Sequence, residues 1–254
     1  METTQATLDR LIRIARAAGD AIMPHYSSSE APGIKADGSP ITAADRAAHQ
    51  IIAEALAAWD PSIPVVSEEG ALPPYAERAR WTRFWLVDPL DGTKEFIQRN
   101  GEFTVNVALI EHAVPVLGVV HTPALGLTYA AGRGLGAWKH APGRAPERLA
   151  SMPKPAGTPL VVVESRSHHS PELEAFLETI SVARRIQSGS ALKFGLVADG
   201  TADIYPRFGP TMEWDTAAGD CVYRQSGRDG ERPSPLRYNA PDLRNPSFVI
   251  GLGG

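Results

Sequence analysis

The chain has 254 residues, of which 43% are hydrophobic and 21% charged, and its net charge is −4. That balance excludes a disordered chain and leaves no basic footprint for a nucleic-acid polymer. A single cysteine, Cys221, excludes an internal disulfide and a cysteine-based zinc site, and no apolar run approaches the ~18 residues of a membrane span.

Residues 4–23 carry Leu8, Leu11, Ile12, Ala15 and Ile22 at helical spacing, which predicts a helix ending near Pro24. A Ser, Pro and Gly-rich loop over 27–40 leads to Thr42, which opens a second helix that Pro61 stops. Short strands are expected at 64–66 and 85–87. They run into Ser67-Glu68-Glu69-Gly70 and Asp88-Pro89-Leu90-Asp91-Gly92-Thr93 respectively. Strands at 103–110, 114–121 and 127–131 read as an antiparallel meander. The Gly132-Arg133-Gly134-Leu135-Gly136 run has no amphipathic helix after it and reads as a hairpin, not a dinucleotide loop. Residues 141–159 hold five prolines and mark a domain boundary, so the expected parts are 1–150 and 151–254. Beyond it come a strand at 160–163, a helix starting at Ser170-Pro171, a helix over 190–198 closed by Gly200, a strand at 203–205 and a small-residue helix from Trp214. Cys221 is expected inside that last helix as a core residue.

Four acidic features, one of them a pair, stand at loop or helix starts. Asp88 and Asp91, three apart, could face one hard cation with the Leu90 carbonyl between them. The N–H groups after Gly92 suit a phosphate. The plainer account is a strand-to-helix turn with Asp91 as cap, and for this pair alone it is favoured. Glu68 taken alone reads as a solvated loop residue and Asp215 as a helix cap. Asp45 completes a capping box with Thr42. A convergence of all four would require a cation, because carboxylates gathered in a cleft repel one another.

In chain order, KADGSPITAAD, VSEE, WLVDPLDGTKEF and WDTAAG resemble the signatures of the inositol monophosphatase superfamily of Mg²⁺-dependent, lithium-sensitive phosphatases. The longer strings KADGSPITAADRAAH, GTKEFIQRNGEFTVN, SRSH, GSALKF and YPRFGPTMEWDTAAG resemble its 3'(2'),5'-bisphosphate nucleotidases of the CysQ type. That resemblance implies an α+β fold, a layered α-β-α-β-α sandwich, with most metal ligands in the 1–150 part and the nucleotide and second-phosphate contacts in 151–254. It implies two or three Mg²⁺ ions. Glu68, Asp88 and the Leu90 carbonyl would hold the first. Asp88, Asp91 and Asp215 would hold the second. Asp45 would act as a base behind these ligands or as a weak ligand of a third. Asp45, Glu68 and Thr93 form the expected catalytic set, with Thr93 orienting the attacking water. Gly92 and Thr93 would bind the scissile phosphate, Ser190, Lys193 and Arg207 the second anion, and His168 the nucleotide. Read without the family, Lys193 is a solvated helix residue and Arg207 a loop ion pair.

The implied reaction converts adenosine 3'(2'),5'-bisphosphate to AMP and phosphate in sulfur assimilation, with the 5'-phosphosulfate analogue as a further substrate. The alternatives are an inositol-1-monophosphatase and a non-catalytic nucleotide sensor on the same fold. The expected partner is a small-molecule nucleotide bisphosphate, with a homodimer left open. The expected location is the cytoplasm, with contact to the inner face of the membrane left open. One departure stands out. After WDTAAG no apolar strand is visible between Gly227 and Pro235, so a loop is expected to replace the strand usual in the family.

Overall fold

The computed structural model describes residues 2–27, 33–34, 40–167 and 170–251. Helix α1 (Gln5–Ser27) buries Leu8, Leu11, Ala15 and Ile22 along one stripe, as its spacing requires. It runs three residues past Pro24 rather than ending there. A proline in the last turn forfeits one backbone bond, and Tyr26 beyond it is held against Phe103, with ring centroids 4.9 Å apart. Strands β1 (Gly33–Ile34) and β2 (Pro40–Ile41) pair antiparallel. The Lys35 to Ser39 part of the first motif lies outside the described residues. Helix α2 (Ala43–Trp59) starts at the capping box of Thr42 and Asp45.

The main sheet has seven strands in sequence order. They are β3 (Val65–Ser67), β4 (Arg83–Asp91), β5 (Thr104–Glu111), β6 (Val114–Thr122), β7 (Leu127–Gly132), β8 (Gly136–His140) and β9 (Glu147–Leu149). Only β3 and β4 are parallel. The short helices α3 (Tyr75–Arg78) and α4 (Thr93–Ile97) flank β4. The expected hairpin joins β7 to β8 at Gly132 and Gly136. Strand β9 lies inside the proline-rich segment and extends the sheet at its edge. Both sheet faces are apolar, because side chains alternate along each strand. Trp85 and Val87 point into one core with α1 and α2. Phe84 and Leu86 point into the other, with the two helices that follow.

Those helices are α6 (Leu192–Ala198) and α7 (Glu213–Gln225). Around them run β10 (Leu160–Ser165), α5 (Pro171–Leu177), β11 (Val182–Ser188), β12 (Tyr205–Arg207) and β13 (Phe248–Ile250). Strands β10 and β11 are parallel and β12 and β13 antiparallel, and a bridge from Val162 to Ile204 links the two pairs. Helix α5 covers their outer side through Leu173 and Leu177. The order is therefore helix, sheet, helix, sheet, helix, as the resemblance implied. The helix predicted over 190–198 starts two residues late, because Ser190 takes a left-handed backbone with φ 43°. Among the described residues no strand forms at 228–233, so the loop expectation holds there. No helix among the described residues is long and apolar enough to cross a membrane.

Candidate active site

Strand β4 was expected to end at Val87 but continues to Asp91. A bulge lies between Asp88 and Asp91, which pair with Asn106 and Thr104. Those partners are two apart, so the extra residue brings Asp88 and Asp91, three apart, to the same sheet face. Pro89, which has no N–H to offer the ladder, falls in the bulge. The Asp88 carboxylate accepts from the Leu90 N–H at 3.0 Å, while the Leu90 side chain packs in the α1–α2 core. Gly92, with φ 91°, turns the chain into α4 and places Thr93 at its start.

Three elements deliver four carboxylates to this point: Glu68 just after β3, Asp88 and Asp91 on β4, and Asp215 on α7. Asp88 is buried, and burial together with Glu68, Asp91 and Asp215 pushes its carboxyl well above the usual range; it also shares a hydrogen bond with Glu68. Burial raises Asp91 to about 6, against the opposing pull of Lys193. Burial and then Asp91 raise Asp215, at the start of α7. The Asp91 carboxylate accepts from the Ala191 N–H at 2.7 Å and from Asn106 at 3.3 Å. Asp215 accepts from the Met212 N–H at 2.8 Å. Among the described residues no group of three such side chains forms a ready-made ligand shell. The donor chemistry nevertheless fits a divalent cation. Oxygen-only ligands that repel one another, with Asp88 buried and Glu68, Asp91 and Asp215 half-buried, favour either protons or hard metal ions.

A cavity of about 260 Å³ opens in front of this cluster. Glu68, Asp91, Gly92, Thr93 and Asp215 line it, together with Ser190, Lys193 and Arg207. Lys193 and Arg207 are buried, at 4% and 8% exposure, so Lys193 is not a solvated helix residue, and Arg207 lies in β12 rather than in a loop. Burial lowers the Lys193 ammonium to about 8, and it donates to the Ser190 and Ser188 carbonyls. Arg207 donates to the Pro210 carbonyl at 3.1 Å, while its buried Nε finds no partner among the described residues. Asp45 is buried and accepts from the Thr42 N–H and hydroxyl at 2.7 and 2.6 Å, which bears out the capping box. His168 lies outside the described residues.

Sequence reasoning missed Glu95 and Glu102. Glu95 lines the cavity and accepts from the Ser167 hydroxyl at 2.8 Å. Glu102 binds Arg166 and the Gly189 N–H. Both acids lie in the GTKEFIQRNGEF string, which was the available signal.

The sequence profile of the inositol monophosphatase family matches residues 4–234. The chain is 47% identical over 250 residues to the 3'(2'),5'-bisphosphate nucleotidase CysQ of Escherichia coli (strain K12), covering 96% of this chain and 99% of that protein. To the CysQ of Salmonella typhimurium it is 50% identical over 222 residues, 87% of this chain and 88% of the relative. Among solved structures, CysQ from Bacteroides thetaiotaomicron superposes with a TM-score of 0.81 at 40% identity, covering 98% of this chain and 97% of that one. An inositol monophosphatase from Anabaena (Nostoc) sp. PCC 7120 gives 0.73 at 23% identity, covering 98% and 91%, and shows likeness of fold alone.

Proposed function

The chain belongs to the inositol monophosphatase family, and within it we propose a Mg²⁺-dependent phosphatase that converts adenosine 3'(2'),5'-bisphosphate to AMP and phosphate. The observation that carries this reading is a single cavity lined both by the acids Glu68, Asp91 and Asp215 and by the buried cations Lys193 and Arg207. The acids suit cations beside a scissile phosphate. The buried cations suit a second anion, which a monophosphate lacks. The CysQ relatives, named as bisphosphate nucleotidases, support the same substrate.

Glu68, Asp88, the Leu90 carbonyl, Asp91 and Asp215 would hold Mg²⁺, whose charge lowers the pKa of water and offsets charge on the leaving oxygen. The Thr93 hydroxyl orients the attacking water, and Asp45 acts as the base behind it. The Gly92 and Thr93 N–H groups bind the phosphate to be released. Lys193 and Arg207 hold the 5'-phosphate, with Arg207 offering a fork and Lys193 a point charge. Ser190 and His168 complete the nucleotide contacts. The same contacts would admit a 5'-phosphosulfate, and the family resemblance implies a role in sulfur assimilation. Lithium should inhibit, as the family resemblance implies.

The test is phosphate release with Mg²⁺ from adenosine 3',5'-bisphosphate and inositol-1-phosphate side by side, with and without lithium. The expected result is a strong preference for the nucleotide. A preference for inositol-1-phosphate would keep the acidic cluster's role and remove those given to Lys193, Arg207 and His168.

A further inference from the structure

Two parts of the cavity wall meet at one side chain. The scissile-phosphate side is built by Gly92, Thr93 and α4. The second-anion side is built by the turn Gly189-Ser190-Ala191, which leads into α6 and Lys193. Glu102, just before β5, lies between them. Its carboxylate takes a two-pronged bond from Arg166, at 2.9 Å to Nε and 2.7 Å to Nη2. The same carboxylate accepts from the Gly189 N–H at 2.9 Å. Its backbone carbonyl accepts from the Ser190 hydroxyl at 2.8 Å.

The turn needs this anchoring. Ser190 holds a left-handed backbone that a non-glycine residue adopts at a cost, and such a conformation persists only where its surroundings fix it. Gly189 packs so close that a Cβ there would lie 2.7 Å from the Glu102 carbonyl oxygen and 2.8 Å from the Glu95 side chain. On the far side of the turn, the Ala191 N–H is bound to Asp91 and the Ser190 carbonyl to Lys193. The turn is therefore pinned between the acidic cluster and Glu102, and Lys193 is pinned to the turn.

We propose that Glu102 is a positioning residue that, with Arg166, sets the spacing between the two phosphate subsites and so determines selectivity for bisphosphates over monophosphates. Glu102 does not line the cavity; it acts through the Ser190 turn. Charge-assisted two-pronged pairs are geometrically specific, so the pair fixes a distance as well as adding affinity. The inference rests on the bisphosphate reading given above.

The experiment compares adenosine 3',5'-bisphosphate with adenosine 3'-monophosphate, which share the scissile phosphate and differ only at the 5' position. For Glu102→Ala and for Arg166→Ala, KM for the bisphosphate should rise about tenfold, the size expected when charged hydrogen bonds are lost. The monophosphate should change far less, so the ratio of the two kcat/KM values collapses. The double variant should lose little more than either single one, because both act through the same link. Glu102→Gln keeps the volume and one acceptor for Gly189, and should fall between wild type and alanine. It also carries the test if the alanine variants fold poorly. Equal losses on both substrates, or unchanged selectivity in all variants, would overturn the positioning role while leaving the bisphosphate reading intact. A wild-type enzyme that shows no preference between the two nucleotides would overturn the second anion subsite itself, and this inference with it.

Discussion

Asp88 and Asp91 share a face only because Pro89 and Leu90 fit one residue too many into β4. On the proposed reading both acids hold Mg²⁺, and Asp91 also holds the Ala191 N–H. Asparagine at 91 keeps an oxygen for that N–H but removes the charge a hard cation needs. Asp91→Asn should therefore cut turnover by about a hundredfold or more while circular dichroism stays that of wild type. A readout apart from activity is available in melting. Mg²⁺ at about a hundred times its dissociation constant should stabilise the wild type by roughly 2.7 kcal/mol. For a chain of this size that corresponds to about 5–10 °C in Tm, and Asp91→Asn should lose most of the shift. Wild-type turnover in this variant would remove Asp91 from the ligand set. Arg207, which lines the same cavity, poses the complementary case. Its Nε is buried without a partner among the described residues, a cost that an incoming anion would offset. Arg207→Ala should lower kcat/KM for adenosine 3',5'-bisphosphate by about ten- to a hundredfold, and for the 3'-monophosphate much less, in steady-state phosphate release.

At the scale of elements, the segment after α7 shows how side chains can replace a strand. The Arg224 N–H at ε binds Asp220 at 2.8 Å, and its Nη2 donates to the Ser234 and Leu236 carbonyls. The Arg232 guanidinium lies 4.4 Å from the Tyr223 ring centroid and donates to the Ser151 hydroxyl at 2.7 Å. Two arginines thus fasten a loop that has no strand ladder of its own. Arg224→Ala should cost about 3–5 kcal/mol, because it strips the fully buried Asp220 of its cation. That predicts a fall of about 10 °C or more in Tm, with kcat at 25 °C little changed, since Arg224 does not line the cavity. A melting point within 2–3 °C of wild type, on the same scale, would show that the pair is not what holds the loop. Absence of a strand there was legible, since 228–233 holds no apolar residue. The long helices and the meander were legible for the converse reason, having apolar spacing of the right period. Strand β11, with the sequence VARRIQS and mostly exposed, has no such pattern and gains its strand form from pairing with β10. Ser190 reads as a helix start until its hydroxyl bond to Glu102, 88 residues away in sequence, is known.

For the whole molecule, the acids of the site were legible as residues and not as a cluster. Their convergence depends on the bulge in β4 and on α7 docking against the sheet, and neither is a local property of the chain. The same docking of layers creates a pH dependence remote from the cavity. His121 of β6 lies beneath α1, with its ring against Gly19 and its Nδ1 near the Leu127 carbonyl and the Thr128 hydroxyl. Burial lowers it from 6.5 to about 4, with Arg16 of α1 acting in the same direction and the Leu127 bond and Asp20 opposing. The folded state therefore takes up the proton less readily than the unfolded chain. Stability from this group is complete above pH 6.5 and is lost as the pH falls towards 4. Between pH 7.5 and 5 the loss should be about 2 kcal/mol. His49 and His140, also lowered by burial, add to it with the same sign. Urea unfolding at the two pH values measures the difference, and His121→Gln should reduce it by most of that amount. A pH dependence identical in wild type and variant would mean that His121 titrates alike in the folded and unfolded chain, so that burial under α1 does not lower it.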